Sequence, residues 1–182
     1  MDFSAGSSAV RIYRKRGKNN MPVKDEKKIK EALIIAMKNE LRVIELYSNC
    51  AKRKLDDDSI KNLKVLIKDE ERHMRLLKEA FEKTLSKKLD TSKLKDVSLK
   101  TIEVIKDDPS YLHIVDIAIG YEKTEKAHFE KAAAAIDIKE LKDLLKSLIT
   151  DEQNHLDILE KERKVVVGQP FEEFELDFYV RE

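Results

Sequence analysis

The stretch LKVLIKDEERHMRLL, residues 63–77, decides how the rest of the chain is read. Leu63, Leu66, Ile67, Met74 and Leu77 recur at the 3, 4 and 7 spacing of one helix face, so the segment predicts an amphipathic α-helix. Glu70 and His73 fall inside the same stripe, where a soluble helix ordinarily carries leucine. A carboxylate buried there without a partner costs several kcal/mol. The helix therefore needs something to meet that charge.

A repeat supplies the context. LKSLITDE, residues 145–152, matches LKVLIKDE, residues 63–70, at six of eight positions with an offset of 82. The same shift carries Glu40 to Glu122, His73 to His155, Ala36 to Ala118 and Tyr47 to Phe129. Each candidate ligand sits among apolar neighbours: Leu33, Ala36, Met37, Val43, Ile44 and Tyr47 around Glu40, and Leu145, Leu148, Ile149, Leu156 and Leu159 around Glu152. Four carboxylates and two imidazoles on buried faces are prohibitive unless cations sit among them, and two divalent metal ions supply about the right charge. A Glu-x-x-His spacing puts an oxygen and a nitrogen donor on one helix face a turn apart. An isolated Glu-x-x-His in so glutamate-rich a chain means little; two, each with a glutamate at the same upstream distance of 30 residues, mean more.

Four helical patterns run roughly over Val23 to Arg53, Ser59 to Leu85, Ser110 to Ala135 and Ile138 to Lys164. LDDDS at 55–59 offers N-cap residues, and DIKE at 137–140 reads as a capping box with Asp137 as cap. Both junctions are short, which predicts two antiparallel hairpins, joined by a long connection at about 86–109 with room for a short helix near Leu94 to Lys106. Glu40 lies about 14 residues before the first turn and Glu70 about 14 after it, so both stand roughly 20 Å from that turn and should face each other. Glu122 and Glu152 bracket the turn at Asp137 in the same way. The expected fold class is all-α, a four-helix bundle of two hairpins with one long crossover, the ferritin-like arrangement.

Composition agrees and excludes alternatives. Of 182 residues 40% are charged, with only 4 Gly and 3 Pro, as long solvent-faced helices require. The net charge of +1 argues against a general nucleic-acid or membrane-surface binder, although residues 1–22 form a locally basic arm with Arg11, Arg14, Lys15, Arg16 and Lys18. One cysteine, Cys50, allows no internal disulfide and no CxxC metal pair and is expected to pack in the core. The lone thiol, with no signal-type segment and no long apolar run, predicts a cytoplasmic protein. Residues 165–182 form an acidic, aromatic tail with strand-like alternation at Leu176, Phe178 and Val180, expected to pair with the N-terminal arm, pack on a second subunit or fold over the bundle end. Met21 offers an alternative start.

These residues resemble the erythrin domain of the rubrerythrins, within the ferritin-like di-iron carboxylate superfamily. The resemblance covers roughly Lys27 to Arg163. It rests on Glu40 with Tyr47 two turns later, D-E-x-x-H at Asp69 to His73, E-x-x-E at Glu122 and Glu125, and D-E-x-x-H at Asp151 to His155. It implies two iron ions, with manganese or zinc as alternatives, bridged by Glu70 and Glu152 and completed by Glu40, Glu122, His73 and His155. Tyr47 would hydrogen-bond a ligand from behind. Glu125, whose counterpart in the first half is Val43, would be a further ligand to the oxidised centre and would exchange with His73 as the redox state changes.

The resemblance further implies peroxide reduction with electrons from an external donor such as rubredoxin, peroxide or oxygen as the small-molecule oxidant, and a homodimer. Rubrerythrins usually carry a four-cysteine rubredoxin domain, which one cysteine cannot build. Phe129 replaces a second tyrosine, and Lys126 occupies a position expected to face inward. A ferroxidase, or a bundle with a structural or vestigial metal site, would use the same ligands. His113 and His128 point away from the site and are expected to pack or face solvent.

Overall fold

Long runs of Glu, Lys, Leu and Ala with almost no glycine or proline favour helix at every level, and four helices follow. The computed structural model describes residues 23–92, 94 and 110–168. Among them α1 spans Val23–Cys50, α2 Asp57–Leu85, α3 Tyr111–Ala135 and α4 Lys139–Val166, and no strand occurs. α1 packs on α2 and α3 on α4 as hairpins; α1 also meets α3, and α2 meets α4, closing the bundle. This is the expected ferritin-like four-helix bundle. The basic arm, most of the crossover with its expected short helix, and tail residues 169–182 lie outside the described residues; Leu94 of the crossover is buried against the bundle core.

Helix starts follow local chemistry in two cases of three. Asp56 caps α2, its carboxylate accepting the Ser59 N–H at 2.8 Å, with Asp57 and Asp58 in the first turn. Ser110 caps α3 by accepting the His113 N–H at 3.2 Å. The expected capping box at 137–140 does not form. Asp137 is fully exposed, and Ile138 takes the cap position without a side-chain bond. Packing overrides the cap: Ile136 is buried and Ile138 packs on the same core, so the alternating Ile-Asp-Ile runs extended with Asp137 outward. α2 ends at Ser86, which adopts φ 51° in the left-handed region, and α1 ends at Cys50, three residues before the expected stop.

The core is split. One apolar cluster holds Leu33 and Met37 of α1, Leu77 and Phe81 of α2, Phe129 of α3 and Leu145 and Leu148 of α4. A second holds Val43 and Leu46 of α1, Leu63 and Leu66 of α2, Ile114 and Ala118 of α3 and Leu156 and Leu159 of α4. On every helix the gap between the clusters falls at the residues singled out above: 40, 70–73, 122–125 and 152–155.

Candidate metal centre

Glu40, Glu70, His73, Glu122, Glu125, Glu152 and His155 are each at most 1% exposed. They form a polar layer across the bundle between the two apolar clusters. The hairpin geometry brings Glu40 opposite Glu70, and Glu122 opposite Glu152, at the matched heights the sequence predicts. Donor atoms of Glu40, Glu70, His73 and Glu152 lie within 4.8 Å of one another, as do those of Glu70, Glu122, Glu152 and His155. The two tetrads share Glu70 and Glu152.

The layer has near two-fold symmetry. His73 Nδ1 lies 3.0 Å from Glu70, 3.2 Å from Glu152 and 3.6 Å from Glu40. His155 Nδ1 lies 2.9 Å from Glu70, 3.3 Å from Glu152 and 3.6 Å from Glu122. The two rings stack with centroids 5.4 Å apart. Donors placed at about 2.1 Å around one first-row ion stand roughly 3.0–3.4 Å from each other, so each tetrad has the spacing of a coordination shell. These approaches are not hydrogen bonds: both oxygens of Glu40, Glu70 and Glu152, one oxygen each of Glu122 and Glu125, and Nδ1 of both histidines lack a hydrogen-bond partner. Buried polar atoms are nearly always satisfied, and so many orphans in one layer fit cations among them.

Electrostatics agrees. Burial, reinforced by the surrounding carboxylates, raises Glu40, Glu122 and Glu125 well above the usual carboxylate range. Burial opposes ionisation of Glu70 and Glu152 too, but the two imidazoles outweigh it and hold both low. Burial disfavours charge on His73, yet Glu152 and Glu70 push it up to about 9, and His155 is raised in the same way. Without metal the surroundings thus favour the protonated forms of Glu40, Glu122 and Glu125 and of both imidazoles, and the ionised forms of Glu70 and Glu152. Those protons are what a metal would replace.

A family model described as Rubrerythrin matches residues 31–163. The chain belongs to the rubrerythrin family. No curated protein and no solved structure matches it. In this rubrerythrin-family bundle the buried glutamate and histidine cluster is a metal site.

Tyr47 is where the resemblance puts it, fully buried and donating its hydroxyl to Glu122 Oε1. Glu125 is buried with Oε1 unpartnered and is a principal electrostatic neighbour of Glu40. Lys126 departs from expectation: instead of facing inward it reaches an exposed contact with Gln153 Oε1 at 2.6 Å. Next to an inward Glu125 the helical rotation of 100° turns it to the rim. His113 is exposed, and His128 Nε2 lies 2.9 Å from the Ala32 carbonyl, so both stay out of the site. Cys50 is buried, which pushes its thiol up to about 11. No helix among the described residues is long and apolar enough to cross a membrane.

Sequence reading passed over Glu162. It is 6% exposed and accepts hydrogen bonds from Asn62 Nδ2 at 2.9 Å, Tyr111 OH at 2.8 Å and Ser59 Oγ. Its signal was present, since it follows His155 by seven residues and shares its face. It ties the last turns of α4 to the first turns of α2 and α3. Asp69 and Asp151, which open the two D-E-x-x-H segments, turn Oδ2 toward the outer nitrogens of His155 and His73, a placement that the motif alone does not give.

Proposed function

We propose that the protein is a non-haem di-iron redox protein that reduces hydrogen peroxide with electrons from a separate donor protein. The observation that carries the reading is the pair of overlapping tetrads with a fifth buried glutamate beside them. Glu70 and Glu152, common to both, would bridge two ions. Glu40 and His73 would complete one position, and Glu122 and His155 the other. A pair of ferrous ions in such a site supplies one electron from each to the O–O bond, and two protons complete the conversion of peroxide to water.

The charge count favours redox chemistry over a structural metal. Four ionised glutamates balance two divalent ions. Losing one electron from each ion adds two positive charges in a water-poor layer, and Glu125, its unpaired oxygen already inside, offsets one of them. Tyr47 holds Glu122 through its hydroxyl, so this carboxylate keeps its orientation through the cycle. The apolar clusters above and below the layer limit access of bulk water to it. With one cysteine in the chain, the donor's redox centre must be elsewhere. A cytoplasmic homodimer with manganese or zinc excluded by loading is the form in which we expect it to act.

Anaerobic loading with Fe(II), followed by rapid mixing with peroxide or with oxygen, tests the proposal. Stoichiometric oxidation that is faster with peroxide is the expected result. Preference for oxygen with iron accumulating beyond two per chain would make it a ferroxidase instead, and no iron uptake would end the redox reading.

A further inference from the structure

Two tyrosines on one side of the metal layer give their hydroxyls to buried glutamates. Tyr47 donates to Glu122 Oε1, and Tyr111 donates to Glu162 Oε1 at 2.8 Å. Tyr121, the other tyrosine among the described residues, has no carboxylate partner among them. Tyr47 and Glu162 stand at matched heights: each follows a site residue of its own helix, Glu40 or His155, by seven positions, about 10 Å along the axis. Both lie toward the bundle end that holds the α1–α2 turn, because Glu162 also meets Ser59 at the start of α2. Cys50 is buried one turn beyond Tyr47, and Tyr111 packs against the apolar cluster that contains both. The thiol and Glu162 each act electrostatically on the Tyr111 hydroxyl, so thiol, phenol and carboxylate are neighbours. A file of oxidisable side chains thus runs from Glu122 through Tyr47 and Cys50 to Tyr111, which is only half-buried.

The two tyrosine–glutamate pairs differ in what their carboxylates are free to do. A phenol gives up an electron readily only where a base takes its proton at the same moment. Glu122 is a poor base in a loaded site, because its charge is committed to the metal. Glu162 has no such commitment. It is 6% exposed, stands two helical turns from His155, and otherwise accepts Asn62 Nδ2 at 2.9 Å and touches the Ser59 hydroxyl. Tyr111 is therefore the phenol of the file that can be oxidised and can hold the result.

We propose that Tyr111 is a one-electron store for the metal centre, supplying the second electron when peroxide arrives with only one ferrous ion in place. The inference rests on the redox reading above and deepens it. A donor that delivers electrons singly leaves the centre half-reduced between deliveries, yet cleaving the O–O bond takes two. One electron comes from the ferrous ion and the other from Tyr111, by way of Cys50 and Tyr47. Two protons from solvent complete two waters, and the phenol's own proton crosses its hydrogen bond to Glu162. The next electron from an external one-electron reductant returns the tyrosyl radical to phenol, and Glu162 gives the proton back. The partly exposed ring is where that reductant reaches it.

Mixed-metal loading provides the test. The full chain is loaded anaerobically with one Fe(II) and one redox-inert Zn(II) per chain, so that many sites hold a single oxidisable ion, and is mixed with one equivalent of peroxide. Samples frozen at successive times are read by electron paramagnetic resonance, and a parallel reaction with a nitroso spin trap is digested and mapped by mass. A tyrosyl signal that narrows with ring-deuterated tyrosine is expected, with the trap adduct on Tyr111. Loading with two Fe(II) should remove most of that signal, because the second ion then supplies the electron. Y111F should abolish it, and Y121F should leave it unchanged. E162Q keeps an acceptor for the phenol but no base, and should slow radical formation by about 100-fold, the low end of what a positioned base contributes. Oxidised iron without a tyrosyl signal, a trap adduct on another residue, or a signal that survives in Y111F overturns the inference. Iron that peroxide leaves ferrous would instead sink the redox reading on which it rests.

Discussion

At the scale of single residues the polar layer is a set of groups that satisfy one another poorly without metal and well with it. Tyr47 is the exception, since its hydroxyl bonds Glu122 with no metal present. Y47F removes that donor from a buried carboxylate, and a loss of about 1–3 kcal/mol is expected in the stability of the metal-loaded protein, measured by chemical denaturation. Glu125 carries a different load. E125A should still take up two Fe(II) per chain, because neither tetrad needs it, but its oxidation by peroxide should slow by about tenfold or more in stopped flow. Wild-type kinetics in E125A would remove Glu125 from the chemistry. Glu40, Glu70, His73, Glu122, Glu152 and His155 were legible because a duplicated spacing is improbable by chance. Asp69 and Asp151 stood in the motif, but their crossed contacts with the histidines, and the contact of Arg72 with Asp151, were not legible, because they depend on which helices meet.

At the scale of elements, capping and packing compete, and the two hairpin turns resolve the contest differently. Asp56 holds both the N–H and the hydroxyl of Ser59, whereas Asp137 holds neither partner of a cap. D56A is therefore expected to cost about 1 kcal/mol, and D137A to stay within about 0.5 kcal/mol of wild type, in urea unfolding. Equal costs would restore the capping box that DIKE suggests. The sequence pattern Asp-x-x-Glu is present, but the burial of Ile136 and the packing of Ile138 on the same core set the backbone. Glu162 is the other element-scale feature. E162A leaves Ser59, Asn62 and Tyr111 without their shared acceptor at the junction of three helix ends. A loss of about 2–3 kcal/mol is expected with metal stoichiometry unchanged. That residue escaped sequence reading because its partners come from two other helices, and one of them, Tyr111, has no periodic relation to the site.

At the scale of the molecule the bundle is two apolar clusters held apart by an ionisable layer, and its stability should follow the protons of that layer. Glu40, Glu122 and Glu125 are raised by burial, and His73 is pushed up to about 9 against burial by its carboxylates. Groups that bind protons better folded than unfolded stabilise the fold below their unfolded pKa and lose that contribution as pH rises through the folded one. Metal-free protein should therefore lose stability from the carboxylate range up to about pH 9. Glu70 and Glu152 work oppositely, their contribution disappearing only in acid. Metal replaces the protons, so the gain in Tm on loading should grow between pH 6 and pH 8.5; a constant or shrinking gain would contradict this assignment of the protons. The bundle, its hairpins and its six repeated site residues could be read from periodicity and duplication, which are properties of sequence; the split core and the crossed aspartates depend on which helices meet. The central claim is that Glu70 and Glu152 join two metal ions in one layer. Anomalous diffraction from iron-loaded crystals tests it most directly: two peaks about 3.5–4 Å apart, both between Glu70 and Glu152, are expected. One peak at full loading, or peaks elsewhere on the bundle, would contradict it.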